Sequence, residues 1–274
     1  MEKLISNYHT HTYRCGHALP NPDIDYVKKA ISLGYKILGF SDHAPFKGVY
    51  HPSMRMSFEK DFKDYCDSIN LLKEKFKDQI NILLGLEIEY IEERDDYYRE
   101  LFDLYHLDYL ILGQHCLYNN EGEVKYYTNH LNDEDGFERY TKDLIKGMKS
   151  GYFSYVCHPD LYLNHIQEIT PRIDRLLDEI IINAKELDIP LEININGETN
   201  NKFGAIAHGC YHYPSIYFFK KAQKHGNKVI FGVDAHAPND FDRIDYSYFS
   251  HFLEETKLDK NLILDKLSFK KPLN

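Results

Sequence analysis

The feature that most constrains this chain is an alternation. Seven short apolar runs rich in β-formers, at residues 4–8, 37–40, 80–84, 109–112, 152–156, 190–193 and 228–231, are separated by segments of helical period. A strand that leads into a helix must return along the length of the sheet, so successive strands pair in parallel. Seven such units predict an α/β fold, an irregular seven-stranded (β/α) TIM-like barrel, with a doubly wound open sheet as the alternative. Helix ends are marked in the sequence. Asn21-Pro22 predicts an N-cap and Gly34 the matching stop; Ser57 predicts a cap; Thr170-Pro171 opens another helix; and a helix from about Pro214 to His225 ends at Gly226. No linker or repeat divides the chain, and residues 1–274 read as one domain.

The residues just past each run are more informative than the runs. They read His9-Thr10-His11, Ser41-Asp42-His43, Gly85-Leu86-Glu87, Gly113-Gln114-His115, Cys157-His158-Pro159-Asp160, Glu192-Ile193-Asn194 and Asp234-Ala235-His236. In a parallel barrel these ends converge on one face, where active sites are built. Residues i and i+2 of an extended chain point the same way, so His9 with His11, and Asp234 with His236, supply two groups each to that face. His17 follows in the first loop. A lone strand-end histidine is most often a turn residue, but seven histidines and two carboxylates on one face point to a metal site. Of the 15 histidines, the other eight follow no such pattern, His208 and His212 in the loop after the sixth strand included.

Composition enters as exclusion. The 43 acidic against 33 basic residues give a net charge of −10, which disfavours nucleic-acid or anionic-membrane surfaces. No stretch matches a membrane span, and residues 1–8 do not read as a signal peptide. Five scattered cysteines with no C-x-x-C pair read as reduced, cytoplasmic thiols. Nothing in the sequence reports the oligomeric state.

In order and spacing, His9-x-His11, His17, Ser41-Asp42-His43, Gly85-Leu86-Glu87, His115, His158-Pro159-Asp160-Leu161 and Asp234-x-His236 resemble the PHP (polymerase and histidinol phosphatase) superfamily, most of all its monofunctional histidinol-phosphate phosphatases. The resemblance implies an irregular seven-stranded barrel and three divalent cations. His9, His11, Glu87 and Asp234 would hold the first; Glu87 would bridge to a second, completed by His115 and His158; His17, His43 and His236 would hold the third. Imidazole-rich ligands suit Zn, Fe or Mn. Glu87, Asp234 and His236 are the catalytic candidates. The implied reaction is hydrolysis of a small phosphate monoester, L-histidinol phosphate first, in histidine biosynthesis. Three cations would add about +6 against about −2 from Glu87 and Asp234, giving a cationic mouth on an acidic protein. Glu89 is the competitor for the bridging role.

Arg55, in an Arg-Met pair resembling that of the histidinol phosphatases, Arg14 and Lys202 are the expected substrate contacts. One departure bears on substrate: where these phosphatases carry a Thr-Ser-Gly-Leu-Arg-Lys-like loop after Glu-Ile-Asn, this chain reads Ile195-Asn196-Gly197-Glu198-Thr199-Asn200-Asn201-Lys202, without the arginine. Rival readings are a PHP phosphoesterase of another small ester, an amidohydrolase, which would lack counterparts of His17 and Gly85-x-Glu87, and a non-catalytic metal-binding module.

Overall fold

The apolar runs become strands whose residues alternate between two cores. The structure, a computed structural model, describes residues 1–49, 51, 53–118, 124–126, 133–202 and 213–269. Its strands are β1 (Ser6–Asn7), β2 (Ile37–His43), β3 (Asn81–Ile88), β4 (Tyr109–Leu112), β5 (Cys116–Tyr118), β6 (Val124–Tyr126), β7 (Tyr155–Val156), β8 (Leu191–Asn194), β9 (Val229–Gly232) and β10 (Ile263–Leu264). Eight form one sheet in the order β1-β2-β3-β4-β7-β8-β9-β10, parallel throughout, and β5 and β6 make a separate antiparallel pair.

Outward residues such as Leu38, Phe40, Leu84, Leu110, Leu112, Val156, Leu191, Ile193 and Phe231 pack with the helices in one core. Inward residues Tyr8, Leu83, Tyr109, Ile111, Tyr155, Cys157, Ile230 and Leu267 form the second, inside the barrel. The helices each bury one face, Tyr65, Ile69, Leu72 and Phe76 on one and Ile173, Leu177, Ile180 and Ala184 on another. Thr170 accepts from Ile173 N ahead of Pro171, and Gly34 and Gly226 end their helices at φ 91° and 70°. Two starts differ from expectation. Pro22, not Asn21, holds the cap position of Asp23–Leu33, and Ser57 opens a preceding turn while Phe62–Phe76 starts after Asp61. No helix among the described residues is long and apolar enough to cross a membrane. Cys15, Cys66, Cys116 and Cys157 are free and buried, and Cys210 lies outside the described residues.

The sheet has eight parallel strands rather than seven. Beyond the strands' C-terminal ends the curl closes: Thr10 bridges Ala235, with His11 N donating to Ala235 O at 2.8 Å. At the other end the short β10 lies beside β9, and Leu267 N donates to Tyr8 Oη at 3.1 Å. The eighth strand thus wedges the bottom while the segments that follow β1 and β9 meet at the mouth. Two residues, Ile263 and Leu264, are too short a run to announce a strand in sequence.

The Tyr109 hydroxyl lies against the inner wall of the barrel, within donating distance of Tyr8 O (2.7 Å) and Phe40 O (3.1 Å). Tyr109→Phe removes the donor from two buried carbonyls and is expected to destabilise the fold by about 1–3 kcal/mol in urea denaturation. A variant as stable as the parent would show that these carbonyls do not depend on it.

Candidate metal centre

Inward parity carries β2, β3 and β4 to their chemistry. Leu83 and Glu87 share the inner face of β3, and His43 ends β2 on the same side. Past β4, Tyr109 and Ile111 lead through Gly113 to His115. A methyl group on Gly113 would stand 2.3 Å from Glu87 Oε1 and 2.8 Å from His115, so a glycine is required for that approach. His158 breaks the rule. Tyr155 and Cys157 both belong to the inner core, so strict alternation would send His158 outward. Its backbone instead adopts φ 30°, which turns the imidazole back to 2.8 Å from Glu87 Oε1. Asp234 also sits in the left-handed region, at φ 53°. Such backbone costs about 1 kcal/mol or more for a residue with a Cβ and persists where its surroundings enforce it.

Glu87 is the hub. Its Oε1 faces His158 at 2.8 Å and His115 at 3.2 Å; its Oε2 faces His43 at 3.1 Å, and His9 and His11 at 3.4 Å each. Asp234 Oδ1 lies 3.0 Å from His11 Nε2 and 3.4 Å from His9 Nε2. The His17 ring stands 5.2 Å from His43 and 4.9 Å from His236, and His236 stacks 4.2 Å from His11. The nine residues read from the sequence as ligands therefore come together. A cavity of about 350 Å³ opens over them, lined by eight of the nine and by Ser53, Met54, Leu161, Asn196 and Tyr213.

Burial opposes ionisation here, and neighbours decide the result. Burial would raise the Glu87 carboxyl, but His43, His115 and His9 hold it well below the carboxylate range. Burial likewise opposes Asp234, which His9, His11 and His236 hold down. It opposes charge on His9 and His11 too, yet Asp234 and the other carboxylates keep both well above an ordinary imidazole. His115 is pulled down by burial but pushed up by Glu87 and Glu89, to about 9. Burial lowers His17, His43 and His236, the last to about 3.

The donor set fits divalent cations. His9 Nε2, Glu87 Oε2 and Asp234 Oδ1 are buried, aimed at one another and without hydrogen-bond partners. Buried polar atoms left so are costly, and a cation among them would satisfy all three. The groups His9/His11/Asp234, His11/His43/Glu87 and His9/Glu87/Cys157/His158 each place their ligand atoms within 4.8 Å of one another.

The residues expected to meet substrate are placed otherwise. Arg14 lies away from the cavity, paired with two carboxylates. Its Nη1 donates to Asp23 at 3.0 Å and its Nη2 to Asp64 at 2.7 Å. Arg55 is buried against Glu89, and neither arginine lines the cavity. The Lys202 side chain, like His208 and His212, lies outside the described residues. Glu89 pairs with Arg55 and so does not compete for the bridge. Three groups escaped the sequence reading. Glu192 takes His9 Nδ1 on Oε1 at 2.8 Å and the His158 N–H on Oε2 at 2.9 Å. Asp42 Oδ1 stands 3.4 Å from His11 Nδ1. The Cys157 thiol donates toward Glu87 Oε1 at 3.1 Å. The signal for Glu192 was its parity with Asn194 on β8.

A family model described as "PHP domain" matches residues 7–196. The histidinol-phosphatase of Bacillus subtilis is 24% identical over 270 residues, covering 90% of this chain and 97% of that protein. A protein of Thermoanaerobacter sp. named "probable phosphatase" is 25% identical over 244 residues, covering 89% of this chain and 83% of that protein. The crystal structure of histidinol phosphate phosphatase from Lactococcus lactis, complexed with Zn, L-histidinol and phosphate, matches with a TM-score of 0.68 at 17% identity, covering 98% of this chain and 100% of that one. At that identity the likeness is one of fold.

Gly113→Ala is expected to lower cation retention about 10-fold or more, because the added methyl displaces Glu87 or His115. Metal analysis after desalting checks this, and full retention would show that the carboxylate can shift at no cost. Because ligating imidazoles must be neutral, loading has to remove the proton that His115 holds up to about 9. Because His9 and His11 are held up as well, cation affinity is expected to rise with pH from neutrality to at least about 9, with net proton release seen by calorimetry in buffers of different ionisation heat.

Proposed function

The chain belongs to the PHP domain family and is a phosphoric monoester hydrolase; from that premise we propose that it releases phosphate from L-histidinol phosphate at the Glu87-centred site. The observation that carries the site is the single buried carboxylate with one oxygen turned to His115 and His158 and the other to His9, His11 and His43. The named substrates of the Bacillus subtilis and Lactococcus lactis relatives support the choice of ester.

In this reading His9, His11, Glu87 and Asp234 hold one divalent cation; Glu87, His115 and His158 a second; and His17, His43 and His236 a third. Zn, Fe or Mn suits the set. Bound cations supply Lewis acidity, acidifying a water molecule and neutralising the phosphoryl oxygens. The chain's own groups prepare the site. Glu192 accepts from His9 Nδ1 and so leaves the Nε2 lone pair facing inward. Asn194 and Asn196 donate to Asp234 Oδ2, at 3.2 and 3.3 Å, and turn Oδ1 toward His9 and His11. Held ionised by its three histidines, Asp234 serves as a ligand and is a poor proton donor to the departing alcohol. Among the described cavity-lining residues there is neither lysine nor arginine, and in this reading bound cations would carry the phosphate charge.

A second reading is a phosphatase of another small ester. It is favoured by the segment after Asn194, which forms the helix Ile195–Lys202 and carries no arginine. Turnover of L-histidinol phosphate against a panel of phosphate monoesters, with Zn, Fe or Mn supplied, decides between them. The highest kcat/KM is expected for L-histidinol phosphate; a better ester in the panel replaces it as the substrate. Glu87→Gln is expected to lose cations and turnover together, by more than about 100-fold, beyond the usual range of outer-shell changes. An active, fully loaded variant would remove Glu87 from the bridge.

A further inference from the structure

Arg55 is 2% exposed and Glu89 1%, a full ion pair withdrawn from water. Such a pair is retained only where its geometry is closely matched. Here Arg55 Nη2 donates to both Glu89 oxygens, at 3.0 and 3.1 Å, and Nη1 donates to Ala44 O at 2.7 Å. Glu89 Oε1 also stands 3.4 Å from His115 Nδ1, while His115 Nε2 faces Glu87 Oε1 at 3.2 Å. Arg55 follows Ser53 and Met54 on the cavity wall, and Ala44 follows His43. One guanidinium therefore ties together the end of β2, the cavity rim and β3.

We propose that Arg55 and Glu89 are a buried positioning pair for the metal centre: Glu89 fixes the His115 ring with Nε2 turned inward, and Arg55 holds Glu89 and the Ser53–Met54 rim instead of meeting the phosphate. A proton on Nδ1, facing Glu89, leaves the Nε2 lone pair for a cation. Because Arg55 neutralises Glu89, the pair orients a ligand without adding net negative charge beside an anionic substrate. This rests on the reading of His115 as a cation ligand.

The test uses the full chain carrying Glu89→Gln, Arg55→Met, Arg55→Lys or the Arg55→Met/Glu89→Gln pair, loaded with Zn or Mn and desalted. Three quantities are read: cations retained per chain, kcat and KM for L-histidinol phosphate, and the inhibition constant of inorganic phosphate under excess cation. Glu89→Gln and Arg55→Met are expected to weaken retention of one cation about 10–100-fold and to lower kcat, partly restored by excess cation. Arg55→Lys is expected to recover part of the loss, and phosphate inhibition to stay within about twofold of the parent. An Arg55 variant with full cation content and phosphate inhibition weakened about tenfold or more would overturn the proposal and make Arg55 a phosphate contact. Full cation retention in Glu89→Gln would overturn it equally. If a single variant fails to fold because one buried charge is stranded, the paired variant, which removes both, carries the same readouts. Cation counts need no turnover, so an inactive parent protein would sink the phosphatase reading without deciding this one.

Discussion

Everything at the barrel mouth depends on one carboxylate kept ionised where water cannot reach it. Glu87 is 1% exposed, and burial on that scale would ordinarily neutralise an acid. His43, His115 and His9 prevent this, and five imidazoles in all face its two oxygens, which fixes their places in return. The same requirement reaches down the barrel. Gly113 leaves room for Glu87, and Gly232 leaves room for Glu192, whose Oε1 would stand 1.8 Å from an added methyl.

Around this hub lies an outer ring of carboxylates facing the other ring nitrogens: Glu192 for His9, Asp42 for His11 and Glu89 for His115. Glu192 hydrogen-bonds His9 Nδ1 at 2.8 Å, while Asp42 and Glu89 approach theirs to 3.4 Å; carboxylates so placed favour a proton on the outer nitrogen and need not touch a cation. Glu192 does more. By taking the His158 N–H it braces one of the two ligands, with Asp234, whose backbone turns left-handed.

Much of this was legible in the sequence, for a definite reason. Period-two alternation and parallel order place strand-end residues on one face, and that suffices for His43, Glu87 and His115; His9 and His11 share a side with each other but follow Tyr8, itself in the inner core. His158 was identified by residue type while its geometry was hidden, since a left-handed φ after Cys157 leaves no composition signal. The carboxylate partners of the arginines were hidden because a guanidinium bound for substrate and one bound for a carboxylate look alike in sequence. The partners of Arg14 are 9 and 50 residues away, and that of Arg55 is 34 away. Glu192 stood in plain view, but its role depends on His9, 183 residues distant.

The seam where Thr10 meets Ala235 carries a consequence for the chain as a polymer. His9 and His11 lie on one lip and Asp234 and His236 on the other, so a cation shared across it is a cross-link between opposite ends of the sequence. Closing so long a loop restricts the unfolded chain more than closing a short one does. Occupancy of that seam would act as a removable staple, holding shut the side of the barrel that hydrogen bonds join at the mouth and β10 props apart below.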